Sequence, residues 1–395
     1  AAGFFSAIQH AEKYPSDKVV LLEKSNKLLA KVRVSGGGRC NVTHQCLDPR
    51  ELSKYYPRGE KFLKKAFAHF AVEDTIQWFE KRSVPLKVES DHRMFPTTDD
   101  SETIASCLMR AAHASGVEIK MNQHVSDICV NNDGFDVFIG EHKMKADKLI
   151  ITTGGSPKLS GFNWLQRLGL DVVPPVPSLF TFNLKNHSIT KLMGLSVGNA
   201  QVKIQGTKLI SNGALLITHW GMSGPAVLKL SAFGARILAE KQYAFNYQVN
   251  WLGGEKEHEL RERLNILIPE IGKRQIANRN PFELPNRLWE YFLTELEIPH
   301  DTLWHSLSKK HLNRLINKLL NDEYAAKGKT TFKEEFVTAG GISLAQIDAA
   351  TMAVKSLPNL HFAGEVLDID GVTGGFNFQA AWTTGFIAGR APVVK

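Results

Sequence analysis

Apolar residues along this chain recur at two spacings, and the switch between them divides it into segments. From Phe4 to Tyr14 they fall at helical intervals, which predicts a helix stopped near Pro15. "KVVLLE", residues 18–23, is a continuous apolar run closing on a carboxylate, the pattern of a buried parallel strand. A helix followed by such a strand is half of a βαβ unit, so the chain is expected to begin inside that motif. "DSETIASCLMRAAHASG", residues 100–116, reads as a helix capped by Asp100 or Ser101 and ended by Gly116, with Ile104, Leu108 and Ala111 on one face. Four short segments follow ("VEIKM", "HVSDICV", "FDVFI", "HKMKA"), and their polar turns predict a small antiparallel meander. "DKLIITTGG", residues 147–155, returns to a buried strand ending in a glycine turn.

Beyond the linker signal "PPVPS" at 174–178, residues 179–250 alternate as strands do, interrupted by the helical "GPAVLKLSAFGARILAE". From Gly254 to about Lys327 the pattern becomes helical and charged; "NRLWEYFLTELE" and "KKHLNRLINKLLND" carry it most clearly. Strand-like "TFKEEFVTAGGI" comes next. The end is α/β again: a strand at "NLHFAGE", a glycine-rich loop at "DIDGVTGGFNFQ" and a helix of small residues at "QAAWTTGFIAGR".

With 395 residues, 43% hydrophobic and 22% charged, the composition is that of a globular protein of two or three domains. No apolar run approaches the roughly 18 residues of a membrane span. The N-terminus lacks the charged and apolar regions of a secretion signal, so a cytoplasmic location is expected. The four cysteines form no CxxC pair, which argues against a disulfide scaffold, a dithiol oxidoreductase and a zinc site. A net charge of +8 can attract phosphate-bearing ligands.

Four stretches carry candidate chemistry. Gly3 fits the last glycine of a dinucleotide-binding turn, where helix–strand packing excludes a side chain. Glu23 sits where an acid at the end of the second strand takes ribose hydroxyls, and Lys24 follows it. "SGGGRCN" can form an anion nest from Gly36, Gly37 and Gly38, with Arg39 adding a charge-assisted bond to phosphate. Cys40 reads as a buried small hydrophobe more readily than as a redox thiol. "ITTGGSP" ends a strand in Thr153, Gly154 and Gly155, where a chain can pass close to a nucleotide or simply turn. "FAGEVLDIDGVTGGFNFQ" crowds Glu365, Asp370 and Asn377 around Gly364, Gly374 and Gly375, with a helix starting near Phe376. That positive N-terminus suits an electron-rich ring that becomes anionic on reduction. Asp368 and Asp370 supply too few oxygens for a calcium loop, so no metal is expected. "GMSGP" does not complete a nucleophile elbow, and no triad accompanies it.

Taken in order, "SGGGRCNVT", "ITTGG", "THWGMSGPAVLKLS", "EEFVTAGGIS" and "FAGEVLDIDGVTGGFNFQAAWTTG" resemble the YhiN/BaiN-type flavoproteins, the aminoacetone oxidase-like FAD-dependent family. The resemblance implies an α/β fold: a Rossmann-like FAD-binding domain built from both chain ends, an inserted β-barrel-like domain and a small helical domain. The corresponding boundaries are 1–177 and 345–395 for the first, 178–253 and 328–344 for the second, and 254–327 for the third. By position, Gly3 and Glu23 would take the adenosine half of FAD. Gly37, Gly38, Arg39, Cys40 and Asn41 would run toward the flavin. Gly364 and Glu365 would hold diphosphate and ribityl, and Gly374, Gly375, Phe376 and Asn377 would approach the isoalloxazine.

The implied activity is hydride exchange between flavin and a small organic substrate, with NAD(P)H as a transient reductant or oxygen as acceptor; no second dinucleotide fingerprint is present. An NAD-only dehydrogenase would leave the C-terminal glycine loop without a purpose. The basic stretches "GKRQIANRNPFELPNR" and "SLSKKHLNR" read as solvated helix faces. The alternative is an RNA-linked flavoprotein or nucleic-acid binder using the helical insertion.

Overall fold

The computed structural model describes residues 1–330 and 337–394. The start of "TFKEEFVTAGGI" lies outside them. Residues 1–178 with 337–394 form one compact unit, and residues 179–330 form another.

In the first unit two parallel strand pairs set the frame. Val20–Leu22 pairs with Glu118–Lys120, and Leu149–Ile151 pairs with the end of Leu357–Phe362. The second pair is flanked by antiparallel Ala353–Val354. Glu118–Lys120 therefore does not open the predicted meander. After the helix Ser101–Ala114 it returns beside Val20–Leu22, as a parallel crossover does, and the antiparallel sheet contains only Val125–Asn131, Gly134–Ile139 and His142–Ala146. The expected linker at 174–178 is also a strand. Val172–Ser178 pairs antiparallel with Val337–Ile342, with an irregular register between Val173 and Val176 where the prolines lack N–H donors. That pairing seats Val337–Ile342 in the first unit, whereas its pattern had placed it with the β-rich segment.

The N-terminal helix Ala2–Lys13 packs along the C-terminal helix Phe376–Arg390. Gly385 and Gly389 make the close approach possible: a Cβ on Gly389 would lie 2.4 Å from the Ser6 carbonyl oxygen, and one on Gly385 3.0 Å from that of Ala2. Each helical glycine costs about 1 kcal/mol, less than the roughly 1.5–3 kcal/mol gained by burying one large apolar side chain. The approach buries several, with Phe5 against Trp78 and Trp382 at ring separations of 4.8 and 5.4 Å.

The second unit is built on a seven-stranded antiparallel sheet. Its order is Asp322–Lys327, Ala244–Asn250, Ser196–Ile204, Ile210–Thr218, Gly221–Ser223, Thr181–Asn183 and Lys329–Thr330. Among the described residues no ladder joins its two edges, so the barrel-like expectation is met by an open sheet. The helices Glu257–Ile271, Asn286–Glu295 and Lys309–Leu320 share one apolar core with that sheet; Trp251 meets Phe292 at 5.6 Å. The strand Asp322–Lys327, at the end of the segment read as helical, forms the sheet's edge.

Candidate functional site

The parallel strands of the first unit end in a glycine-lined corner. Gly3 lies in the first turn of the N-terminal helix, and a Cβ there would meet Thr152 Oγ1 at 2.6 Å. This is the close helix–strand contact for which the sequence reading chose a glycine. After Leu149–Ile151 the chain passes exposed Thr153 to Gly154, which has φ +77° and open space where a Cβ would stand. Gly155 is hemmed in: a Cβ would lie 2.6 Å from Thr338 Oγ1 and 2.7 Å from Glu365 Oε1. Beyond the neighbouring strand, Gly364 at φ +77° donates its N–H to Thr384 Oγ1, and its Cα faces the Ala2 side chain. Glu365 is pinned twice. Lys31 Nζ donates to its Oε2 at 2.6 Å, and the Thr338 N–H donates to its Oε1 at 3.0 Å. Glu23 follows the strand Val20–Leu22 half-buried, its Oε1 accepting from the Ser25 N–H and hydroxyl at 2.8 Å each. Lys24 points to solvent.

The helical turns that begin at Ala30 break at Ser35, whose ψ is 150°, and the triple glycine follows the break. Gly36, Gly37 and Gly38 all have positive φ, between +59° and +85°, which side chains resist. Cβ atoms on Gly37 and Gly38 would meet no protein atom within 4 Å, so no packing contact there demands a glycine and the positive φ does. Arg39 follows the glycines and is partly exposed. Its guanidinium binds Glu89 at 2.5 Å, lies 3.5 Å from Asp99 and covers the Phe95 ring at 4.1 Å. Its charge is shared with these two carboxylates. Cys40 is fully buried in the apolar core, and burial pushes its thiol up to about 12. A reactive thiolate is thereby excluded at neutral pH.

Asn41 joins this loop to the C-terminal glycine motif. With its amide turned to satisfy its neighbours, it donates to the Thr43 and Met94 carbonyls and accepts from the Gly375 N–H at 3.0 Å. Gly375, at φ +93°, caps the helix Phe376–Arg390; a Cβ there would strike the Thr43 backbone at 2.5 Å. The Phe376 ring stacks on Tyr55 at 4.4 Å and on His44 at 4.5 Å, and His44 Nδ1–H donates to the Gly374 carbonyl at 3.1 Å. Asn377 makes a reciprocal pair with the Gly371 backbone and so clamps the loop. Asp370, read as a ligand to the cofactor, is instead fully buried. It pairs with Arg58 and accepts from Ser178 Oγ at 2.7 Å, which makes it a core brace. Burial holds its carboxyl above the usual range despite Arg58.

Three separated stretches, 36–41, 154–155 and 364–377, thus lie around the strand ends, where open α/β sheets bind ligands. Two residues that the sequence reading did not single out belong with them. Lys31 and Thr338 emerge only through Glu365, distant from both in sequence. The signal for Lys31 was its place in the first turn of a helix, where the dipole favours acids. The corner fits a sugar-diphosphate cofactor: backbone N–H groups, a carboxylate for hydroxyls, and the buried Thr338 Oγ1 without a hydrogen-bond partner among the described residues. No cluster of metal ligands occurs among the described residues, and no helix there is long and apolar enough to cross a membrane.

The HI0933-like protein Rossmann domain matches residues 1–391. A ribosomal RNA dihydrouridine synthase of Escherichia coli (strain K12) is 28% identical over 393 residues, covering 97% of this chain and 94% of that protein. A 3-dehydro-bile acid delta(4,6)-reductase of Clostridium scindens is 24% identical over 399 residues, covering 99% and 96%. Among solved structures, 3-ketosteroid delta1-dehydrogenase from Sterolibacterium denitrificans shares the fold with a TM-score of 0.50 at 12% identity, covering 98% of this chain and 97% of that one. The family match spans nearly the whole chain and agrees with the order of its glycine motifs: this chain belongs to the HI0933-like Rossmann family, the YhiN/BaiN-type FAD-dependent oxidoreductases.

Proposed function

We propose that this chain is an FAD-dependent oxidoreductase acting on a carbon–carbon double bond conjugated to a carbonyl. The observation that carries this reading is the convergence of the three glycine stretches on one corner of the first unit. Bound FAD supplies hydride exchange at its N5, with NAD(P)H or oxygen as the proposed redox partner. In this reading Gly3 and Glu23 serve the adenosine half, and Gly154, Gly155, Gly364 and Glu365 the diphosphate and ribityl. Gly37, Gly38, Gly374, Gly375 and Phe376 lie along the ring. The N-terminus of the 15-residue helix Phe376–Arg390 stabilises negative charge beside it. The conjugated double bond comes from the two relatives. A dihydrouridine synthase and a bile acid delta(4,6)-reductase are both named for saturating such a bond.

A second reading makes the substrate a uracil ring within RNA. The E. coli relative's name supports it, and so does one feature of the second unit. An isolated bridge between Gln275 and Leu303, with the Trp304 N–H on the Arg274 carbonyl, draws the two basic stretches together. Lys273, Arg274, Arg279, Lys309 and Lys310 are all exposed there.

The test is spectroscopic first. The purified protein should be yellow, absorbing near ~450 nm, and should release FAD on denaturation. Colourless protein that takes up no FAD sinks the proposal. Flavin oxidation by 2-cyclohexenone against a uridine-containing RNA then separates the two readings.

A further inference from the structure

Glu365 poses an electrostatic problem for its own site. It adjoins Gly364, where an added Cβ would come within 3.0 Å of the Ala2 side chain, and its Oε1 would lie 2.7 Å from a Cβ on Gly155. That corner is where the preceding reading puts the cofactor's diphosphate. A carboxylate at such range repels a dianion, and the repulsion strengthens as water is excluded. The Glu365 side chain is 18% exposed, while the Lys31 side chain that meets it is 54% exposed and stays partly in water.

Lys31 answers the problem. Its ammonium reaches Glu365 Oε2 at 2.6 Å from the first turn of the helix Ala30–Gly38. That turn contains no acid, so no neighbour within it pairs with the lysine. Among the described residues, the carboxylate it meets is 334 positions away in sequence.

We propose that Lys31 is a cofactor-positioning residue that neutralises Glu365, allowing a sugar-binding carboxylate and a dianionic diphosphate to share one corner. This rests on the FAD reading above. It separates Lys31 from a residue that merely orients Glu365: neutralisation matters for the anionic FAD and not for riboflavin, which has no phosphate.

The experiment titrates stripped protein with FAD and with riboflavin, following flavin fluorescence. Lys31→Gln should weaken FAD by about tenfold, the equivalent of ~1.4 kcal/mol, and leave riboflavin within about twofold. Lys31→Arg should keep most of the FAD affinity. Adding Glu365→Gln to Lys31→Gln should recover most of the loss, because the repulsion is then gone while an amide still bonds to hydroxyls. Thermal unfolding without FAD checks that each variant folds. Equal losses for FAD and riboflavin, absence of rescue in the double variant, or an unchanged FAD affinity would each overturn the role of Lys31 while leaving the FAD reading intact. Wild-type protein that binds no FAD overturns both.

Discussion

Thr338 holds a fully buried hydroxyl with no hydrogen-bond partner among the described residues, beside Gly155 and the Glu365 carboxylate. An unmet buried hydroxyl costs about 1–3 kcal/mol, so a site that keeps one has a use for it. Thr338→Val preserves the shape and removes the polar atom. The unliganded variant should melt higher than wild type by an amount equivalent to about 1 kcal/mol, while FAD binds roughly tenfold more weakly. Calorimetry without FAD and a titration with it measure the two effects, and an FAD affinity equal to wild type would remove Thr338 from the cofactor site. At this scale the sequence was readable where a residue's reason is local. Gly3 and the three glycines at 36–38 could be understood from turn and packing rules. So could Cys40 as a buried small hydrophobe, whereas the burial of Asp370 could not, because it depends on distant Arg58.

The paired terminal helices show how an element can depend on a missing side chain. Gly385 and Gly389 sit one turn apart on Phe376–Arg390 and face the backbone of Ala2–Lys13. Gly389→Ala would help an isolated helix by about 1 kcal/mol. Here the added methyl meets the Ser6 carbonyl oxygen at 2.4 Å, and prising the helices apart costs about 1–3 kcal/mol or more. The clash is expected to win: urea denaturation of Gly389→Ala should show a lower midpoint, and a midpoint at or above wild type would contradict the packing described. The N-terminal helix was legible from its apolar spacing, and the C-terminal one, starting near Phe376, from its small residues after a glycine-rich loop. Strand partners were not. Glu118–Lys120 is three residues long, too short for its own pattern to tell a parallel neighbour from a hairpin. Val172–Ser178 is masked by its prolines, which are tolerated because the ladder with Val337–Ile342 is interrupted between Val173 and Val176.

For the molecule as a whole, the order of patterns suggested an α/β domain, a β-rich domain and a helical insertion, while the openness of the seven-stranded sheet and its shared core with three helices left no such pattern. Such long-range packing leaves no local trace in composition. It does leave one in stability against pH. His361 lies buried on the strand Leu357–Phe362, its Nδ1–H donating to the Thr351 carbonyl at 2.9 Å and its Nε2 buried without a partner among the described residues. Burial, helped by the nearby Lys148 ammonium, lowers its pKa to about 4 from the ordinary 6.5. In the unfolded chain His361 takes a proton as pH falls below about 6.5, whereas in the folded protein it must wait until about 4. The folded state is therefore penalised progressively across that window. The contribution is fully present above pH 6.5, and about 3 kcal/mol of it is lost by pH 4. His361→Asn keeps a donor for Thr351 and cannot titrate there. Denaturation midpoints measured from pH 7 to pH 4.5 should fall more steeply for wild type than for the variant. Parallel curves would mean that His361 is not held neutral by the fold.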